Sequence, residues 1–288
     1  MPRRPRMAAV VFAVLATWLS SAFAASAPDT LGRIRADKTI RVAYSGESLP
    51  FSYTEVNGEA SGYSIDLCKR VIAQVGRAVD VPDLKVKWIA ASTPERLRMV
   101  ASGNADLDCA NTTQTLARMA EVDFSSLVFL ETGSFIGRAG SHVALGDMNG
   151  RKIAVLKGTT TETRLRELLR KRLVNAQVVT IDRAADGIAM LESGGADLYA
   201  GDLIKLIGLI AQSADPSKFE VVGEKFSYEP YAFALPRNDS AFRLEVNRAI
   251  SQVYRGGEIG PIFERWLGAL GRPSDALGAM YVLYSIPD

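Results

Sequence analysis

Between residues 39 and 267 the apolar positions follow two alternating rhythms. Short apolar runs bounded by polar residues read as strands, and longer segments with apolar residues three or four apart read as helices. The pattern predicts strand 39–44, helix 64–75, strand 84–89, a helix over 94–101 closing at Gly103, and strand 107–110. After Gly150 the same order returns: strand 152–156, helix 162–173, strand 177–181, a helix over 186–191 closing at Gly194, and strand 197–200. Alternating strands and helices predict an α/β fold.

The residues repeat along with the elements. Met99–Asn111 (MVASGNADLDCAN) aligns without a gap to Met190–Asp202 (MLESGGADLYAGD). Each copy runs from a helix end through a glycine stop and Ala-Asp-Leu into a strand, then ends on a polar side chain, Asn111 or Asp202. Two similar lobes facing one another explain this, and ligands of open α/β sheets bind beyond the carboxyl ends of strands. After Val221-Val222 come a strand over 231–235, a helix over 240–254, glycines at 256, 257 and 260, and an apolar segment 262–267. The simplest path leaves the first lobe near 133–140 and returns near 228–236. Lobe one is then 25–136 with 235–288, lobe two is 137–234, and the two crossings form a hinge.

A chain of 288 residues, 48% hydrophobic and 23% charged, has the composition of a globular protein with room for two such lobes. Its net charge of +2 comes from the N-terminus, where Arg3, Arg4 and Arg6 precede the uncharged stretch Met7–Leu19 and the small-residue pattern Ala22-Phe23-Ala24. This is the layout of a cleavable secretory signal peptide over residues 1–24, and Pro5-Arg6 argues against a twin-arginine signal. Without those three arginines, 31 basic side chains face 32 acidic ones, so no basic surface suggests nucleic acid. Export to the periplasm would also allow Cys68 and Cys109 to form the one possible intramolecular disulfide; two buried thiols are the alternative. With a single histidine, His142, and no CxxC spacing, neither a zinc site nor a Ser-His-Asp triad is expected, and no cofactor is implied.

The candidate chemistry lies at strand ends. Phe51 follows the first strand and could pack on a ligand's aliphatic part or belong to the core. Thr93 could cap the helix that Pro94 begins, which leaves Arg96 at the positive end of that helix dipole, a position an anionic ligand would favour. Asn111–Arg118 (NTTQTLAR) offers amide and hydroxyl groups followed by an arginine able to grip a carboxylate with paired hydrogen bonds. In the second lobe Thr159 and Glu162 have capping-box spacing, and the Thr160 hydroxyl with nearby amides would make an anion site. Asp202 could accept an ammonium group. Arg118 and Thr160 for a carboxylate, with Asp202 for an amine, describe an α-amino acid.

Together with PFSY (50–53), GYSIDLC (62–68), TPER (93–96), VDFS (122–125), GTTTE (158–162) and LESGGADLYAGD (191–202), these residues resemble the periplasmic amino-acid-binding proteins of ABC transporters, solute-binding family 3, especially the glutamate/aspartate branch. The resemblance implies a two-lobed periplasmic-binding-protein-like fold of type II that closes on a free amino acid and docks, as a monomer, on a membrane permease. It implies that Arg118 holds the α-carboxylate and Asp202 the ammonium, with Asn111, Thr113 and Thr160 adding hydrogen bonds and Arg96 reading the side chain. The chain departs from that branch at Ser45, where a second side-chain-reading arginine would stand, and at 182–186, where Arg183 or Ala184 replaces a cleft histidine. The competing classes are a cyclohexadienyl or arogenate dehydratase on the same scaffold, which needs a general acid, and a sensor module, which needs an appended domain.

Overall fold

The computed structural model describes residues 29–141, 145–223 and 225–288; the leader assigned to residues 1–24 and His142 lie outside the described residues. Helix α1 (Thr30–Asp37), capped by the Asp29 carboxylate, leads into strand β1 (Thr39–Tyr44). A small antiparallel sheet follows, of β2 (Glu47–Ser48), β3 (Ser52–Thr54) and β4 (Ala60–Ser61). Next come α2 (Tyr63–Ala78), β5 (Lys85–Ala90), α3 (Thr93–Ala101), β6 (Leu107–Asp108), the single-turn α4 (Leu116–Met119) and the long strand β7 (Asp123–Glu131). Strand β8 (Gly133–Arg138) opens a second series with β9 (Lys152–Leu156), α5 (Thr160–Arg172), β10 (Gln177–Ile181), α6 (Ala184–Ser193), β11 (Leu198–Asp202), α7 (Leu203–Gln212) and β12 (Phe219–Val222). The chain ends with β13 (Glu229–Leu235), α8 (Ser240–Arg255), α9 (Ile259–Leu267) and α10 (Asp275–Leu283). Among the described residues, no helix is long and apolar enough to cross a membrane.

Two five-stranded sheets of matching design result, in the orders β5-β1-β6-β13-β7 and β10-β9-β11-β8-β12. In each, one strand lies between two parallel partners (β1 between β5 and β6, β9 between β10 and β11), and two antiparallel strands complete the edge. The chain passes between sheets at Thr132 and again between Val222 and Glu229. Both passages precede the divisions at 136/137 and 234/235 expected from the sequence. The glycine-containing stretch from Gly133 is a paired strand, with Gly133 opposite Asp202, and not a connection.

The larger core lies on the first sheet, where Ile40 and Val42 of β1 meet Val71 and Val75 of α2 and Phe242 and Ile250 of α8. Full burial of each such side chain stabilises the fold by roughly 1.5–3 kcal/mol. Cys68 on α2 is bonded to Cys109 just after β6, with Cα atoms 5.9 Å apart, so the disulfide alternative is the one realised. Phe51 does not face the cleft. It is fully buried, edge-on to Tyr63, Phe129 and Tyr231, because the backbone turn before α2 directs it into the first-sheet core.

Candidate functional site

The carboxyl ends of β1, β6, β9 and β11 converge where the two halves of the molecule touch. The contact is close. Gly158, ahead of α5, packs so tightly on Pro94 of α3 that a β-carbon there would lie 2.6 Å from Pro94 Cγ, and one at Gly208 of α7 would lie 2.7 Å from the Leu49 carbonyl oxygen. Polar bonds also cross the gap. The Ala184 amide donates to Glu47 at 3.3 Å, Arg183 pairs with Glu47 at 3.4 Å, and the Tyr231 hydroxyl of β13 donates to Asp202 at 2.5 Å. The structure is therefore a closed arrangement.

Arg96 lines the smaller cavity yet is held from several sides by the protein itself. Ser92, not Thr93, is the cap of α3, and Glu95 completes its capping box. The Arg96 side chain is 1% exposed; its Nε donates to Asp108 at 2.8 Å, Nη1 to the Ala91 carbonyl at 2.8 Å, and Nη2 to the hydroxyls of Thr93 and Thr112 at 3.2 Å each. Asp108 is fully buried and also accepts from the Thr112 hydroxyl at 2.5 Å. The charge at the helix N-terminus is thus balanced by an internal carboxylate, which the sequence pattern hid inside an apolar strand.

Arg118 is held by the turn of α4, whose Thr115 hydroxyl accepts the Arg118 amide at 3.2 Å. One guanidinium nitrogen donates to the Thr113 carbonyl at 2.7 Å; the other side-chain donors have no partner among the described residues. Burial lowers the Arg118 pKa, an effect opposed by the nearby carboxylates of Asp108, Glu229 and Asp202. Thr113 and Thr160 share a cavity wall with Arg118, and both hydroxyls donate to Glu229 Oε2, at 2.7 and 2.6 Å, while Ser227 donates to Glu229 Oε1 at 2.7 Å. A hydroxyl carries one proton, so in this closed arrangement neither threonine has one free for a ligand carboxylate. Glu229 was missed from the sequence; its only signal is a carboxylate opening an otherwise apolar strand. Thr159 is accounted for as the α5 cap, accepting the Glu162 amide at 3.2 Å.

Around Asp202 the two halves share a buried polar cluster. Asp202 accepts from Thr161 at 2.8 Å and from Tyr231, with Lys205 Nζ 3.7 Å away, and a carboxylate so bonded keeps acceptor capacity. Asn111 lies in the same place, where it offsets part of the rise in the Tyr231 phenol pKa. Glu131, at the end of β7, accepts the amides of Thr132 at 2.8 Å and Ile204 at 3.3 Å. Its carboxyl is pushed up to about 8, chiefly by burial, despite those amides, with Asp202 adding to the rise. Burial and the Asp202 charge likewise raise the Tyr231 phenol well above its usual value.

Two cavities flank this cluster. One, of about 350 Å³, is walled by Ser45, Ser92 and Arg96 from one side and Lys157, Asp182 and Lys205 from the other. The second, of about 620 Å³, is walled by Thr113, Arg118, Thr160 and Glu229. Asp202 and Lys205 also border a gap of about 20 Å³ between the halves. Ser45 faces the smaller cavity, its hydroxyl 2.6 Å from that of Ser48; Ala184 lines it too, whereas the Arg183 side chain is exposed. Among the described residues, no group of three or more His, Cys, Asp or Glu side chains is placed to hold a metal ion.

Residues 40–269 match the bacterial extracellular solute-binding proteins, family 3. The chain belongs to this family. It is 29% identical to the L-glutamate/L-aspartate-binding protein of Pseudomonas aeruginosa, an alignment covering 82% of this chain and 79% of that one. Among solved structures, an ancestral arginine-binding protein bound to arginine superposes with a TM-score of 0.72 at 26% identity, over 80% of this chain and 99% of that chain. The ancestral amino-acid-binding protein AncCDT-1, a precursor of cyclohexadienyl dehydratase, gives a TM-score of 0.69 at 26% identity, over 82% and 99%. The periplasmic-binding-protein-like architecture expected from the sequence is thus the one observed.

Proposed function

We propose that this protein is an extracytoplasmic receptor that closes its two lobes on a free amino acid with a polar or acidic side chain and, as a monomer, delivers it to an ABC permease. A cleavable leader over residues 1–24 would direct it to the periplasm. The observation that carries this reading is the pairing of Arg118, whose unpartnered guanidinium donors border the larger cavity, with Asp202, which keeps acceptor capacity on the opposing sheet. A zwitterion is the solute such a pair complements. Thr113 and Thr160 would join the carboxylate contacts only by releasing Glu229, and Asn111 would act through Tyr231 and the Asp202 cluster. Arg96, Thr93 and Thr159 serve the frame of the pocket.

The energetics suffice: micromolar binding corresponds to about 8 kcal/mol, and inverting a 1:99 open–closed equilibrium takes about 5.5 kcal/mol. A dehydratase would need an acid at the substrate. Glu131 is the carboxyl held protonated toward neutral pH, and it lines neither of the two large cleft cavities. Calorimetry with the twenty amino acids is the test. One or a few should bind, and Arg118→Ala or Asp202→Ala should abolish binding; unchanged affinity in both variants would refute the site.

A further inference from the structure

Lys205 is a cation the fold itself does not use fully. It stands in the first turn of α7, three residues after Asp202, and its side chain is only 14% exposed. An ammonium group has three N–H donors. Among the described residues Lys205 Nζ makes no hydrogen bond; its ion-pair partner Asp202 Oδ2 is 3.7 Å away, beyond hydrogen-bond distance, and Glu131 lies near enough for the Lys205 charge to act on its carboxyl. The same side chain borders both the 20 Å³ gap beside Asp202 and the 350 Å³ cavity. It therefore stands between the carboxylate proposed for the α-ammonium and the 350 Å³ cavity, bordering both.

The other charges facing that cavity are already balanced or are set in water. Arg96 is neutralised by Asp108 in a buried pair. Glu47 is engaged by Arg183 and by the Ala184 amide. Lys157 and Asp182 are exposed, where solvent screens them. The remaining walls offer the hydroxyls of Ser45, Ser48, Ser92 and Thr93, which suit a polar end group of either charge state. Lys205 alone combines shielding from solvent, unused donors and a position on the cavity wall.

We infer that Lys205 is a specificity-determining residue that reads a carboxylate at the end of the ligand's side chain, making the preferred solute an acidic amino acid; this rests on the receptor reading above. Asp202 then lies between two cations, the ligand ammonium and Lys205, and the acid-rich surroundings of Asp202 and Glu131 accommodate both. Lys205 thereby takes on the work that Ser45 and the 182–186 segment leave undone.

The test is calorimetry of glutamate, aspartate, glutamine and asparagine on the full chain, wild type and Lys205→Met, with Lys205→Arg as the conservative variant. A charge-assisted hydrogen bond predicts that the wild type prefers the acids over their amides by about tenfold or more. Lys205→Met should collapse that ratio toward unity while amide affinity stays within about threefold, and Lys205→Arg should restore it. If Lys205 merely braces Asp202, the Met variant will weaken acids and amides by the same factor, and the inference fails. A wild-type protein that binds amides as tightly as acids also overturns it, whether or not the variant folds. Absence of binding by every amino acid would overturn the receptor reading and this inference with it.

Discussion

The two copies of the repeated segment share a frame and differ in what the frame holds. An offset of 91 residues (202 minus 111) maps Asp106 onto Asp197, and the two carboxylates do the same job. Asp106 accepts the Arg41 amide of β1 at 2.7 Å, and Asp197 accepts the Lys152 amide of β9 at 3.0 Å, each pinning a connector to the strand beside it. The same offset maps Arg96 and Asp108 onto Gly187 and Tyr199, and here the halves part. On the first sheet a buried ion pair joins helix to strand; on the second a tyrosine ring lies against a glycine, so close that a β-carbon at Gly187 would stand 2.3 Å from Tyr199 Cε1. Cys109, bonded to Cys68, maps onto Ala200. Positions common to both copies maintain the α/β unit, and positions that differ give each half its own way of joining helix to strand.

Breaking the ion pair should have the largest effect. Arg96→Met leaves Asp108 as a buried, uncompensated charge and should cost about 3–5 kcal/mol in urea denaturation, most of which the double variant Arg96→Met/Asp108→Leu should recover. If the single variant is as stable as wild type, the pair does not hold α3 to β6. Removing the disulfide, which closes a separation of 41 residues, should cost about 4 kcal/mol by the chain-entropy estimate. Because that bond belongs to the first half only, hydrogen exchange should quicken in α2 and β6 before α6 and β11; equal quickening in both would show that the halves do not differ in this way.

Filling the glycine seat tests the second half. Gly187→Ala should push Tyr199 off α6 and destabilise by about 1–3 kcal/mol, whereas Gly187→Ala with Tyr199→Leu should be milder. The remaining effect is one of pH. Glu131 and Glu229 lie opposite one another in register on β7 and β13, yet Glu229 takes three hydroxyl donors and Glu131 two backbone amides. With its folded pKa raised to about 8, Glu131 holds a proton that the unfolded chain releases earlier. Its contribution is fully present below its ordinary value and is lost as pH rises through about 8, with a slope of at most about 1.4 kcal/mol per pH unit. Denaturation at pH 5.5 and 8.5 should show this loss in wild type and not in Glu131→Gln; parallel pH profiles would contradict it.

Strands β1, β9 and β10 were legible to the residue because each is a short apolar run closed by polar neighbours. Strand β8 was not, since glycines at 133, 137 and 140 resemble a linker until its pairing with β11 and β12 is seen. The site was partly legible for a similar reason. Arg118 lies on the short helix after a hydroxyl-rich segment and Asp202 ends β11, where local pattern is informative. Asp108, Glu229, Tyr231 and Lys205 acquire their roles from partners far away in the chain or across the cleft, such as Tyr231 on Asp202 and Thr113 on Glu229. Phe51 shows the converse: a local pattern placed it at the mouth, and the tertiary packing of four aromatic rings removed it from there.

A crystal structure of the protein with its tightest-binding amino acid measures the central claim directly. The ligand α-carboxylate should lie within hydrogen-bond distance of the Arg118 guanidinium and the α-ammonium against Asp202, with the side chain directed past Lys205 into the 350 Å³ cavity. A ligand seated elsewhere, or one whose carboxylate touches neither Arg118 nor the α5 N-terminus, would contradict the account.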